Sequence, residues 1–440
     1  MTSPADRRQQ LRRLADHSLT FLRWLVFSAV IGLVCGCVSA AFYHAFHWAT
    51  GLRTARPWLL FLLPAGGVAI VLFYRACRME RDRGTNFVLT AVRENAALPL
   101  RTAPLVFLST ILTHLLGGSA GREGAILQIG GSISSFLGRL MRLDDKDSRV
   151  ITMCGMAAAF SALFGTPLAA ALFSMEVVSV GVMYYAAIVP CTLSAIIGLW
   201  VARFLGVPGT AYALTGVPGL TPLALVQAVG MGILLALLSM LFCWAMRTAG
   251  SLYSRFLPRA LPRAAVGGAL VIALTFLVWL WAPGTYDYNG AGEAVIRAAV
   301  TGQARPEAFA LKILMTALTL GAGFKGGEIV PVFFTGATFG CVAAPLLGLH
   351  PSFGAGLGMV GLFCGVTNCP LSSLLLALEL FAGSSAGFPI QSLGLFAVCI
   401  AVSYMLSGYY GLYSEQKILY SKFRPEFINR KANQKDEPRP

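Results

Sequence analysis

A chain of 440 residues that is 56% hydrophobic, only 12% charged and has a mean hydropathy of +0.71 is not a soluble globular domain, for which about 25% charged residues is usual. It reads as a polytopic helical membrane protein. The net charge of +15 would suggest nucleic acid as a partner in a soluble protein, but here the cations fall in short segments beside apolar runs. The expected partner is therefore the lipid bilayer, with no nucleic acid.

The N-terminal segment 1–17, MTSPADRRQQLRRLADH, is basic, and no short apolar run with a small-residue cleavage site follows it. The first apolar segment, near 20–49, is long enough to span a bilayer. Further long segments are expected near 182–205, 222–246, 264–282 and 388–407. Shorter ones, punctuated by Gly, Pro or polar residues, fall near 104–117, 124–140, 167–179, 309–320, 331–347 and 370–382. Cations cluster at Arg7, Arg8, Arg12 and Arg13; at Arg75, Arg78, Arg81 and Arg83; at Arg139, Arg142, Lys146 and Arg149; at Arg247, Arg255, Arg259 and Arg263; and from Lys417 onward. Clusters of this kind mark the cytoplasmic side, so both termini are expected there. The loop at 139–149 reads as a solvated linker, and the polar segment after Tyr420 as a short basic tail.

The two halves correspond. GTPLAAALFSMEV places Pro167 nine residues before Glu176, and NCPLSSLLLALEL places Pro370 nine residues before Glu379, an offset of 203 residues in each case. Cys154–Gly155 precedes the first proline and Cys364–Gly365 the second. A glycine-rich break lies upstream of each: GGSAGREGA in the first half, GAGFKGGEIVP in the second. Interrupted hydrophobic segments in matching places of two halves predict inverted repeats with the transport site at the breaks. The repeats are assigned to about 18–205 and 222–421, within one transmembrane domain at 18–421 between the basic segment 1–17 and the tail 422–440.

Arg122–Glu123 sits inside the first break, and a charge at mid-bilayer costs roughly 2.5–3.5 kcal/mol even on the mildest scale, so it calls for a function. Gly121 and Gly124 let backbone amides approach a ligand. A helix from Gly124 to about Arg139 would aim its N-terminal N–H groups at the same place, with Ala125 in its first turn. This makes an anion site. Glu123 then fills it when ionised and releases it when protonated, which couples a proton to an anion. The second break supplies the amides of Ile329 and Val330; Glu328 either neutralises Lys325 or acts directly. Thr85 and Asn86 open a third helical segment, as a plain N-cap or as a further anion contact. Tyr413 reads as an interfacial anchor or as a site residue. Glu176 and Glu379 either face a water-filled vestibule or pair with a loop arginine.

Two rival chemistries are weighed. Gly117–Gly118–Ser119–Ala120–Gly121 satisfies the nucleophile-elbow pattern of serine hydrolases, but that elbow needs a preceding strand and a triad. His114 lies on the same helical run and reads as a packing residue. The ten cysteines are spread through apolar runs without metal-ligand spacing, so buried thiols are expected, with no metal and no cofactor.

These motifs resemble those of the CLC-type anion channels and transporters, from about residue 20 to 421. The family's GREGP motif is matched by Gly121–Arg122–Glu123–Gly124–Ala125, which implies Glu123 as the gating glutamate. Its GIFAP motif resembles Gly327–Glu328–Ile329–Val330–Pro331, and its central tyrosine resembles Tyr413 in GLYS. Two departures matter. Gly84–Thr85–Asn86–Phe87 replaces the serine-bearing GSGIP, and Val177 stands where the chloride/proton antiporters carry a second acid. With GFKGGEIVPVFFTGATFG, these departures resemble the bacterial fluoride-exporting branch, whose members exchange fluoride for protons. The resemblance implies an all-α, CLC-like fold of two inverted repeats with broken, tilted helices, and a homodimer in the bacterial inner membrane moving fluoride and protons. A chloride channel or chloride/proton exchanger is the alternative, and an intramembrane serine hydrolase the remote one.

Overall fold

Helix α1 (Pro4–Ala55) opens the chain with 52 residues, about 78 Å at 1.5 Å per residue, far more than a roughly 30 Å hydrocarbon core. Its basic N-terminal part therefore projects beyond the lipid. The computed structural model describes residues 4–80, 84–94, 96, 98–382, 390–424 and 426–431, with side chains from residue 18 onward except at 428–430. Arg81, Arg83, residues 388–389 of one expected span, the tail 432–440 and the side chains of Arg7, Arg8, Arg12 and Arg13 lie outside the described residues.

Two sets of eight helices follow one another. The first comprises α1, α2 (Leu63–Ala76), α3 (Thr85–Glu94), α4 (Thr102–Leu115), α5 (Glu123–Leu140), α6 (Asp145–Phe164), α7 (Pro167–Glu176) and α8 (Ile188–Phe204). The second comprises α9 (Pro222–Phe256), α10 (Ala260–Val278), α11 (Glu293–Val300), α12 (Ala308–Gly321), α13 (Ile329–Ala343), α14 (Pro351–Thr367), α15 (Pro370–Ala377) and α16 (Leu393–Leu406). Their packing repeats: α1 lies on α8 as α9 lies on α16, and α5 lies on α6 as α13 lies on α14. Across the repeats, α2 meets α10 and α7 meets α15. The α13–α14 contact runs backbone to backbone through Gly336, Gly340, Gly354 and Gly358, the small-residue packing that replaces a hydrophobic driving force in lipid.

Local chemistry sets the helix ends in the same way in both halves. Helix α6 stops at Gly165 (φ 82°) and α14 at Asn368 (φ 59°), both left-handed, and two residues later Pro167 and Pro370 start α7 and α15. Each proline-led helix has unsatisfied N–H groups at its start, and the acid of the other repeat fills them. Glu379 accepts the N–H groups of Leu168 and Ala169, both at 2.9 Å. Glu176 accepts those of Leu371 (3.1 Å) and Ser372 (2.9 Å), together with the Ser372 hydroxyl. These carboxylates thus cap the opposite repeat, and among the described residues neither forms a salt bridge with an arginine.

Among the described residues, six helices are long and apolar enough to cross a membrane. Three differences from the expected segments have a physical cause. Residues 57–76, a short 3-10 turn and α2, form a span not expected, because Pro64 and Gly66–Gly67 broke up its apolar run. Residues 329–347 reach span length once the turn after α13 is added, whereas α16 has only 14 residues. The presumed linker 139–149 is partly helical: the Asp144 side chain accepts the Asp147 N–H at 2.8 Å and caps α6. A small sheet adds to the helical body, with β1 (Ser179–Val180) parallel to β2 (Lys417–Tyr420) and β2 antiparallel to β3 (Phe427–Lys431). Part of the basic tail is thereby tied down. Eight of the ten cysteines are buried; Cys37 is exposed and Cys77 half-buried.

Candidate anion site at the broken helices

The two glycine-rich breaks fasten to each other. Gly121 donates its N–H to the Gly327 carbonyl at 2.6 Å, and Gly327 donates to the Gly121 carbonyl at 2.7 Å. This two-bond bridge sets the N-termini of α5 and α13 side by side. The backbones approach so closely that a Cβ on Gly327 would overlap the Gly124 amide nitrogen, and one on Gly124 would lie 3.0 Å from the Gly327 Cα. Only glycine fits at Gly327, and a side chain at Gly124 would need its neighbour to give way. Helix α3 brings a third N-terminus: the Thr85 hydroxyl donates to the Gly124 carbonyl at 3.4 Å and accepts from Gln128 Nε2 at 3.3 Å.

Helix N-termini leave N–H groups without intrahelical acceptors and carry the positive end of the helix dipole. In α5 the backbone ladder begins with Ile126 bonding back to Arg122, and in α13 with Val332 bonding back to Glu328. The amides of Gly124, Ala125, Ile329 and Val330 therefore stand ahead of it, in buried residues. Gly121 differs from expectation: its N–H is committed to Gly327, so it builds the bridge and is not a free donor.

Glu123 is the first residue of α5 and fully buried. Its Oε2 accepts the Arg122 backbone N–H at 3.0 Å, and its Oε1 lies 3.4 Å from Arg122 Nε. The carboxylate thus folds back over the start of its own helix. Arg122 is only 7% exposed. Its guanidinium lies over the rings of Phe46 (5.1 Å) and Tyr43 (5.4 Å), and its Nη2 meets Glu293 Oε1 at 3.1 Å.

Tyr413 is 1% exposed, which excludes the interfacial-anchor reading, and its hydroxyl has no hydrogen-bond partner among the described residues. Its loop docks on the end of α14, where Leu412 donates to the Val366 carbonyl at 2.8 Å. Asn86 is turned to the same loop, its Oδ1 accepting the Glu415 N–H at 3.2 Å. Thr85 and Asn86 thus part ways, Thr85 to the α5 break and Asn86 to the tyrosine loop. At the second break, Glu328 occupies the N-cap position of α13 without a side-chain capping bond, and the Lys325 ammonium lies 4.3 Å over the Tyr74 ring.

The hydrolase reading meets a different geometry. Ser119 is fully buried, and its hydroxyl lies 3.1 Å from that of Thr316. The ring nitrogens of His114 lie 2.8 and 2.9 Å from the carbonyls of Thr110 and Ala120, so the imidazole fixes the backbone of the break. Sequence reasoning missed Gln128, whose signal was its position one turn beyond Gly124; its Nε2 donates to the Gly124 carbonyl at 3.1 Å. It also missed Glu293, for which no local signal existed.

A membrane-spanning chain of two inverted halves, whose broken helices gather three N-termini and a buried carboxylate, defines an anion-transport protein. Residues 65–408 match the voltage gated chloride channel family, and the chain belongs to that family. It is 36% identical over 407 residues to a chloride/fluoride channel protein of Pseudomonas syringae pv. tomato, covering 91% of this chain and 87% of that one. It is 24% identical over 443 residues to the H(+)/Cl(−) exchange transporter ClcA of Vibrio cholerae, covering 94% and 92%. Among solved structures, a CLC-type fluoride/proton antiporter superposes with a TM-score of 0.83 at 31% identity, covering 90% of this chain and 98% of that one. The protein is thus a multi-pass membrane protein of CLC-type anion transport.

Proposed function

We propose that this protein exchanges fluoride for protons, with Glu123 as gate and proton carrier. The observation that carries this is the fully buried Glu123 carboxylate, seated at its own helix N-terminus where those of α3 and α13 converge. Such a site is built for an anion. The carboxylate occupies it when ionised; a proton neutralises the carboxylate and frees the amides of Gly124, Ala125, Ile329 and Val330 for a small dehydrated anion. Tyr413 supplies a hydroxyl donor, Thr85 supports the α5 turn and Asn86 holds the tyrosine loop. Fluoride is favoured over chloride by the 36% identity to a chloride/fluoride channel protein and by the antiporter structure at 31% identity. The chain acts as one transmembrane domain, 18–421, in a homodimer of the bacterial inner membrane, with both termini cytoplasmic and no enzymatic activity.

A second reading, chloride conduction without protons, draws on Val177, an apolar residue where a second acid would relay protons. One experiment separates the two. Proteoliposomes loaded with fluoride or chloride are followed for anion efflux while external pH is recorded. Fluoride efflux with stoichiometric proton uptake, abolished in E123Q while some anion flux persists, supports the exchanger. Chloride efflux without proton movement supports the channel and refutes the exchanger.

A further inference from the structure

A strap, residues 286–293, runs over the first break and is fastened at both ends. At one end the fully buried Lys312 ammonium donates to the carbonyls of Tyr288 (3.2 Å) and Gly290 (2.7 Å). In the middle, Gly290 donates its N–H to the Gly118 carbonyl at 3.1 Å, and Asn289 Nδ2 donates to the Gly117 carbonyl at 3.0 Å. At the far end Gly292 takes a left-handed turn (φ 75°) against the Phe334 ring, where a Cβ would lie 2.6 Å from a ring carbon. That turn delivers Glu293 to the first position of α11, within 3.1 Å of Arg122 Nη2. One guanidinium thus serves two carboxylates: the buried Glu123 and Glu293, whose side chain is 39% exposed.

We propose that Glu293 is a positioning residue for the gate: by holding Arg122 it sets how readily Glu123 takes up a proton. The inference rests on the proton-carrying role proposed for Glu123. Arg122 favours ionised Glu123 by attraction, and Glu293 opposes this in two ways. It neutralises part of the guanidinium charge, and it adds a like charge nearby. Both effects favour proton uptake. Other charged and titratable groups near the pair include Arg297 of α11, Tyr43 of α1 and Tyr212 of the segment before α9, with Arg297 lying 5.6 Å over the Tyr212 ring, and Arg53 of α1, His114 of α4 and Lys312 of α12 pack against the strap and the break. Tyr413 of the second half lies near Glu123 and has Glu328 as a further neighbour. Neutralising Glu293 leaves these unchanged, so the variant isolates one charge.

The test is proton-coupled fluoride efflux from proteoliposomes as a function of external pH, for wild type, E293Q, E293D and E123Q. E293Q is expected to keep coupled exchange but to shift the midpoint of its rate–pH curve by roughly half a unit toward lower pH, the scale of a partly exposed ion pair. E293D keeps the charge and is expected to restore the wild-type midpoint. Raising external salt is expected to shrink the difference between E293Q and wild type, because Glu293 is open to counter-ions. A merely structural role would lower the folded yield and leave the midpoint in place. A midpoint that stays put or moves to higher pH in E293Q overturns the proposal, as does E293D behaving like E293Q. If E293Q does not fold, E293S carries the same expectation. The two readings fail separately: coupled exchange surviving in E123Q removes the role of Glu123, whereas an uncoupled E123Q beside an unshifted E293Q removes only the role of Glu293.

Discussion

Replacing Glu176 tests whether the acid at the end of α7 is a cap or a proton carrier. Its carboxylate is 7% exposed and accepts three bonds, from the N–H groups of Leu371 and Ser372 and from the Ser372 hydroxyl. Charge-assisted bonds of this kind contribute roughly 1.5–3 kcal/mol each, and a carboxylate at a helix N-terminus gains up to about 2 kcal/mol more. Part of that gain offsets the desolvation of the carboxylate itself. E176A is therefore expected to cost about 3–5 kcal/mol by leaving three donors without an acceptor. E379A removes only two acceptor bonds at a half-buried site and is expected to cost about 1–2 kcal/mol. Melting in detergent, followed by tryptophan fluorescence, ranks the two variants. Flux assays on E176Q then separate cap from carrier, since a cap variant melts early but keeps proton coupling in the protein that remains folded. Wild-type melting of E176A, or loss of coupling in an E176Q protein of normal stability, would refute the capping argument.

Three further outcomes are expected. G327A should lose anion flux and folded yield together, because its methyl group would overlap the Gly124 backbone and part the Gly121–Gly327 bridge; size-exclusion profiles and efflux measure both, and a fully active G327A would contradict the close approach. Y413F removes a buried hydroxyl that has no partner among the described residues, so melting should stay unchanged while the apparent KM for fluoride rises about fivefold, the equivalent of one hydrogen bond of about 1 kcal/mol. An unchanged KM would take Tyr413 out of the site. Lys422, beyond the last spanning helix, donates to Asn368 Oδ1 (2.6 Å) and to the Tyr404 carbonyl (2.8 Å), and burial brings its ammonium pKa down to about 8. The unfolded chain keeps that proton to roughly pH 10.4, so between those values the unfolded state binds more protons and this group's contribution to stability rises with pH. K422M should flatten the rise measured between about pH 8 and pH 10; an unaltered slope would assign it to another group.

The sequence by itself determined the class of protein, the helical architecture and the place of the two glycine-rich breaks. Apolar run length marks helices in lipid, glycine and proline mark where helices break, and a charge among glycines in an apolar context marks where a break has a task. These are local properties, written in consecutive residues, and Arg122–Glu123, Gly124 and Ile329–Val330 could be read from them. The 203-residue offset between the two proline-led helices also announced the repeat. Only the tertiary structure decided how distant residues share their bonds. That Glu176 caps α15 while Glu379 caps α7, that the amide of Gly121 is spent on Gly327, that Asn86 serves the tyrosine loop and that Arg122 is divided between Glu123 and Glu293 depend on which chain ends meet in space. A buried donor or carboxylate must find a partner, but the partner here lies 170 to more than 300 residues away, and no spacing along the chain records it.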